Sequence, residues 1–376
     1  MIDNLTYKPR NKNSLIRSCF RKLLLIFALI IFVSNGFAQQ QPFKLFLIGD
    51  AGERDSMGLT LKSLHKQLTD NPNSAVLFLG DNAYKKMFFG LISLERKGFD
   101  GGKTTCSRVG AQLNSLKDYK GAAYFVPGNH DWWNMINFKH GSKKLKLEEN
   151  YIEDSLRKFP LLANHNDTTF LPMNGSPGPD YKDLNNGKLR IIFIDTQRLI
   201  MLQDNYDKGD SVLLKDFYKN LENILSEAEN KKQKIFVVGH HPVFSKGLHS
   251  GPLTGWEKLF KVFGYSNVHF PAYFKIAAQV NIILKKHSSG DIYYASGHEH
   301  SLEYFIKDHT RYIISGAGSK TDYILHPQEC GADEYLTCNE EGFFEVDIYD
   351  TYDKVIMYHG NALDAKLQTT CMSGCK

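Results

Sequence analysis

The sequence predicts an α/β protein, a sheet covered on both faces by helices and joined by a second sheet. Three observations carry this. Continuous apolar runs of strand length alternate with helical periodicity as far as His300 of the 376 residues. Strands that are apolar throughout, rather than alternating, belong to sheets buried on both faces. After His300 the pattern changes to short strands separated by turns, which predicts a second sheet built partly from the C-terminal half.

The elements follow in order. Phe43–Ile48 is an apolar run that stops at Gly49-Asp50, and Ser56–Leu68 has helical periodicity after it. Ala75–Leu79 is a second buried strand ending at Gly80-Asp81, and Ala122–Val126 a third, stopped by Pro127-Gly128. Leu189–Ile194 runs into Asp195-Thr196, and Leu213–Asn230 reads as a long amphipathic helix. Lys234–Val238 ends at Gly239-His240, and Ile292–Ala295 ends just before Gly297-His298. Leu302–Ile306, Arg311–Ile314, Gly342–Ile348 and Lys354–His359 are the later strands.

The segment ahead of these elements reads as an export signal. Lys8, Arg10, Lys12, Arg17, Arg21 and Lys22 precede the apolar run Leu23–Val33, and Ser34-Asn35-Gly36-Phe37-Ala38 supplies small residues for cleavage. The run has 11 residues, against the roughly 20 that a spanning helix needs. The expected organisation is a signal at 1–38 and a single catalytic domain at 39–376, secreted or periplasmic, with no membrane span in the mature chain. The six basic residues of 1–38 against Asp3 account for the whole formal charge of +5. The mature part is therefore neutral, which removes the case for nucleic-acid binding.

Export permits disulfides. Cys330–Cys338 and Cys371–Cys375 are the simplest pairing, with Cys106 left over, although four cysteines allow three connectivities. The spacings fit no common zinc cluster.

Five blocks lie at the strand ends: Gly49-Asp50-Ala51-Gly52, Gly80-Asp81-Asn82-Ala83-Tyr84, Gly128-Asn129-His130-Asp131, Val237-Val238-Gly239-His240-His241 and Gly297-His298-Glu299-His300. In open α/β sheets ligands bind outside the carboxyl ends of the strands. Oxygen and nitrogen donors delivered there suit hard or borderline cations, and glycine lets the backbone come close. One such block is usually a turn, but five in order predict a two-metal hydrolase.

With these blocks, the chain resembles the calcineurin-like metallophosphoesterases, and within them the small, animal-type (tartrate-resistant) purple acid phosphatases. The likeness runs from about Phe43 to Tyr323. It includes Gly239-His240-His241-Pro242-Val243-Phe244 through Leu248-His249-Ser250-Gly251-Pro252, and Ser315-Gly316-Ala317-Gly318. It implies a four-layer α/β/β/α sandwich. Ordinary members carry a ligating His in the first block where this chain has Gly52. Purple acid phosphatases share that gap and fill it with a tyrosine three residues after the bridging Asp, here Tyr84.

The resemblance then implies a first metal, Fe(III), on Asp50, Asp81, Tyr84 and His300. A second, divalent Fe, Zn or Mn, would take Asp81, Asn129, His240 and His298, with Asp81 bridging ions roughly 3.5–4 Å apart. A metal-held hydroxide would attack a small phosphomonoester, His130 and His249 would serve the leaving group, and Asp131 would orient His130. His241 replaces a tyrosine common in animal members and is expected to line the pocket or to stand behind the ligands, not to be a ligand itself. A phosphodiesterase or a nucleotide or lipid-headgroup hydrolase on the same centre is the alternative, and a non-catalytic binding protein the other class.

The stretches Lys85–Tyr119 and Trp132–Asp180 do not follow the family pattern and are expected at the rim of the site, where loops set specificity. Trp132 and Trp133 are candidates to stack on a leaving group, with at least one expected to be packed. The Lys143–Lys146 run is expected to be solvated. Asn166 and Asn174 begin glycosylation sequons. Substrate, oligomeric state and source are not written in the sequence.

Overall fold

A computed structural model describes residues 41–84, 86–89, 92–95, 99–132, 138–205, 211–247, 270–287, 292–322, 335–337, 339–360 and 365–366. The expected export signal therefore lies outside the described residues, as do His249, Trp133, Cys330, Cys338, Cys371 and Cys375. Contacts divide the chain into Met1–Pro42 and Phe43–Lys376, and the elements among the described residues belong to the second unit.

The strands are β1 (Phe43–Ile48), β2 (Ser74–Phe78), β3 (Lys86–Phe89), β4 (Ile92–Glu95), β5 (Ala122–Phe125), β6 (Asp180–Leu184), β7 (Leu189–Phe193) and β8 (Lys234–Val238). They continue as β9 (Ile292–Ser296), β10 (Leu302–Lys307), β11 (Thr310–Ser315), β12 (Tyr335–Thr337), β13 (Gly342–Ile348), β14 (Asp353–His359) and β15 (Ala365–Lys366). The helices are α1 (Leu59–Asp70), α2 (Lys103–Asn114), α3 (Phe138–Leu156), α4 (Thr196–Asp204), α5 (Ser211–Asn230) and α6 (Phe270–Lys286).

Two mixed sheets carry the fold. One has the order β15-β14-β13-β1-β2-β5, the other β12-β10-β11-β9-β8-β7-β6, and β3-β4 form a hairpin. Alternation along the strands sorts side chains between layers. Leu45, Leu47 and Leu77 of the first sheet meet Phe236, Val238 and Tyr293 of the second in one core. Phe46, Ile48 and Val76 turn outward onto Leu61, Leu64 and Val109 of α1 and α2. On the far side Ile192, Val237 and Tyr294 pack under Leu199, Leu221 and Val280 of α4, α5 and α6. The layers are α/β/β/α, as expected.

The second sheet is built partly from the C-terminal half, as expected. β10 and β11 do join it, but β13 pairs back with β1 in antiparallel register, Leu45 opposite Val346, and β14 follows β13. Both flanks of β1 are thereby filled, by β13 on one side and by parallel β2 on the other. That covers an edge which would otherwise present unpaired backbone. Cys106 is a free thiol. Among the described residues no helix is long and apolar enough to cross a membrane.

Candidate metal centre

β1, β2 and β5 of the first sheet and β8 and β9 of the second all deliver their blocks at the carboxyl end. The chain must turn sharply there. Asp50, Asp81 and His298 have φ of 56°, 54° and 70°, in the left-handed region that side-chain-bearing residues enter rarely and at about 1–3 kcal/mol each. Three such residues at one place mark a site where geometry is held against local preference. The approach is close: a Cβ at Gly128 would lie 2.2 Å from Asp81 Oδ1.

The loops are then stitched together. Tyr84 N donates to the Gly52 carbonyl at 3.1 Å and Asp50 N to Gly80 at 3.0 Å. Arg108 of α2 donates to the Tyr84 carbonyl at 2.5 Å. His298 N donates to Asp50 Oδ2 at 2.8 Å, and His130 N to Asp81 Oδ1 at 2.9 Å.

Two clusters of donor atoms result. In the first, Tyr84 OH donates to Asp50 Oδ1 at 2.7 Å, and His300 Nε2 lies 3.4 Å from that hydroxyl and 3.6 Å from the carboxylate. In the second, His240 Nε2 lies 2.9 Å from Asn129 Oδ1, 3.3 Å from His298 Nδ1 and 3.4 Å from Asp81 Oδ1. An ion bound at about 2.0–2.2 Å holds adjacent ligand atoms about 3–3.5 Å apart, so both clusters have the spacing of a coordination shell. Asp50, Asp81 and His240 each offer an atom within 4.8 Å of the others.

Chemistry agrees with spacing. His240 Nδ1 must donate to the Leu79 carbonyl at 2.9 Å, which leaves the Nε2 lone pair facing acceptors. His300 Nδ1 donates to Asp322 Oδ2 at 2.5 Å and likewise turns a lone pair on Nε2 toward Asp50 and Tyr84. Such convergent acceptors need a cation.

The titration behaviour shows the same deficit. Burial opposes charge on His240, yet Asp81 and Asp50 raise it to about 9. Burial likewise opposes charge on His300, and Asp322 and Asp50 raise it to about 10. Burial works against ionised Asp81, but His240 and His130 hold it well below the usual carboxylate range. Burial, then Asp50 and Asp81, push the Tyr84 phenol far up. A pocket that gathers protons so strongly is one that fits metal ions.

All seven expected ligands, Asp50, Asp81, Tyr84, Asn129, His240, His298 and His300, are brought together. His130 stands beside them, its side chain 23% exposed and Nε2 3.9 Å from Asp81, its ring 4.7 Å from that of Tyr84. Asp131 differs from the expectation. Its carboxylate accepts from Gly128 N at 2.7 Å, from Asn82 N and Nδ2 at 3.3 and 3.2 Å, and from Ala83 N at 3.3 Å. These bonds fix the loop of Asp81, not the His130 ring. Below it Glu148 of α3 is fully buried with no hydrogen bond to either oxygen. Burial and then Asp131 drive its carboxyl far up.

His241 is buried beside the second cluster, its Nδ1 2.8 Å from Thr196 Oγ1 and its ring 4.3 Å from that of His298. Trp132 is a core residue, 0% exposed, and Nε1 donates to Asp195 Oδ2 at 2.8 Å. Lys146, itself part-exposed, pairs with the buried Glu149 at 2.6 Å. Sequence reasoning missed Asp322, which holds His300, and Thr196, which holds His241. Each lies far along the chain from its partner, and a polar residue in a loop gives no local signal of that role.

Comparison with known proteins places this geometry. Residues 43–302 match the family model of the calcineurin-like phosphoesterases. No curated protein matches the sequence. Among solved structures the fold is similar to GAP50, the anchor in the inner membrane complex of Plasmodium, at 16% identity and a TM-score of 0.52, covering 89% of this chain and 87% of that one. A dimetal phosphatase from Danio rerio matches at 12% identity and a TM-score of 0.45, over 89% of this chain and 100% of that one. PhoD matches at 10% identity and 0.48, over 90% and 73%. By its family match the chain belongs to the calcineurin-like phosphoesterases, metal-dependent hydrolases of phosphoric esters that work with two ions.

Proposed function

We propose that the chain is an exported acid phosphatase that hydrolyses phosphomonoesters at an Fe(III)–M(II) centre, M being Fe, Zn or Mn. The observation that carries this reading is Tyr84. Its hydroxyl stands with Asp50 and His300 where other members of the family use a histidine, and a side chain at Gly52 has no room, its Cβ meeting the Asn82 carbonyl group at 2.4 Å. A phenolate is a hard anionic donor suited to ferric iron.

Asp50, Asp81, Tyr84 and His300 would hold the ferric ion, and Asp81, Asn129, His240 and His298 the divalent one. Bound there, the two ions supply Lewis-acid polarisation of the phosphate and an activated water. The protein's own residues do the rest. Asp131 holds the Asp81 loop through three N–H bonds, from Asn82 N and Nδ2 and from Ala83 N, which keeps the Asp81 carboxylate in place before substrate arrives. His130, part-exposed beside Asp81, is the group that protonates the leaving oxygen, and His249 is its partner by position in the sequence. Export is supported by the order of basic, apolar and small residues in 1–38.

The test compares p-nitrophenyl phosphate with bis-p-nitrophenyl phosphate, alongside metal analysis. Faster turnover of the monoester by protein holding one iron and a second ion is expected. A preference for the diester replaces the phosphatase with a diesterase on the same centre. Full activity with Mn or Zn alone and no iron ends the ferric reading. N-terminal sequencing of protein from the producing cell checks export, with a mature chain starting at Gln39 expected.

A further inference from the structure

Tyr84 is completely buried, and the Nζ of Lys320 lies 4.0 Å from the centroid of its ring. The position is not an accident of a long side chain, because the backbone on both sides of Lys320 is pinned to the site. Ser319 Oγ donates to the Asp50 carbonyl at 2.6 Å and accepts from Glu53 N at 3.1 Å. Gly318 N donates to the Gly49 carbonyl at 3.0 Å, and Asp322 N to the His300 carbonyl at 2.9 Å. One short loop after β11 therefore reaches Asp50, His300 and Tyr84 together, and Lys320 is its contribution to the tyrosine.

A cation over a neutral phenol is held by the ring's negative face. When the phenol gives up its proton to become a ligand, that weak attraction becomes one between full charges, strengthened because the ring is buried and Lys320 half-buried. The ammonium then matters more to the ligand than to the free side chain.

We propose that Lys320 is a positioning and tuning residue for Tyr84 as a metal ligand. Its charge stabilises the phenolate and draws electron density from the oxygen, so that Tyr84 donates less and the ion it holds stays more electrophilic toward a phosphate ester. The inference rests on the ferric reading of the first site.

The consequence can be read as colour. A cation beside the phenolate lowers the energy of its donor electrons and raises that of their transfer to iron. Visible spectra of the iron-loaded protein, K320M and K320R are recorded with iron content measured on the same samples. The expected result is a band displaced to longer wavelength in K320M at unchanged iron content, and restored to its original position in K320R. A K320M band at the wild-type position overturns the proposal. So does an equal displacement in both variants, or loss of iron from K320M, since either makes Lys320 a structural part of the loop. If the unsubstituted protein binds iron and shows no band, the ferric-tyrosinate reading itself fails, an outcome distinct from a band that Lys320 does not move.

Discussion

Gly52 and Tyr84 are hydrogen-bonded to each other, the Tyr84 amide donating to the Gly52 carbonyl at 3.1 Å. The glycine and the tyrosine proposed as a ligand are thus neighbours in space. A Cβ at Gly52 would press on Asn82 at 2.4 Å, so the loop that brings Tyr84 inward occupies the place a side chain at 52 would need. Y84F is therefore expected to abolish a visible charge-transfer band while leaving the circular dichroism of the fold intact. A band that survives in Y84F removes Tyr84 from the metal.

Asp322 should matter to metal binding without touching the metal. It takes the Nδ1 proton of His300 at 2.5 Å, fixing the tautomer and raising the basicity of Nε2. Removal of such an outer partner typically weakens metal affinity about 10–100-fold. D322N is expected to release iron to a competing chelator more readily by that order, with p-nitrophenyl phosphate turnover restored by added metal. Unchanged affinity would leave Asp322 a mere turn residue.

Asp81 lies 3.4 Å from His240 of the second cluster and offers an oxygen within 4.8 Å of one from Asp50 of the first. D81N is expected to lower the content of both ions together, as read by elemental analysis, whereas H298A should spare the iron. Loss of a single ion in D81N would contradict a bridging role.

Stability should depend on pH through carboxyls away from the ligands. Asp195 is raised to about 7 by burial, against the Arg198 amide and Trp132 that favour its charge. Glu303 is raised to about 7 by burial and by Glu299. The folded state keeps protons that the unfolded chain has released above about pH 4, so stability falls as pH rises toward 7 and levels beyond it. D195N should lose less than the parent between pH 5 and 7.5, by on the order of 2 kcal/mol, in urea unfolding of metal-free protein. Parallel pH profiles would show Asp195 ionised throughout.

The blocks were legible because each is a local signal, an apolar strand and then a polar residue beside glycine. Helix α3 was not, for a physical reason. Its buried face includes Glu148, Glu149 and Glu153 beside Leu145 and Ile152, so hydrophobic periodicity is interrupted where burial is deepest. Two of these glutamates accept backbone N–H groups: Glu153 Oε1 takes those of Thr169 and Phe170 at 2.7 and 2.8 Å, and Glu149 that of Asn174 at 3.0 Å. The pairing of Phe343 and its neighbours with Tyr358, and of β13 with β1, is likewise a matter of distant partners. Val346 and Leu45 meet across the whole domain, and nothing near either one announces it.

The strands that deliver Asp50, Asp81, Tyr84 and Asn129 belong to one sheet, and those that deliver His240, His298 and His300 to the other. Neither sheet owns a complete set for either ion. Cut between β7 and β8, the chain would yield an oxygen-rich fragment and an imidazole-rich one, each a poor chelator and neither a catalyst. Recovery of phosphatase activity on mixing the two would then report reassembly of the sandwich itself, with the metals as witnesses that the two halves had found each other.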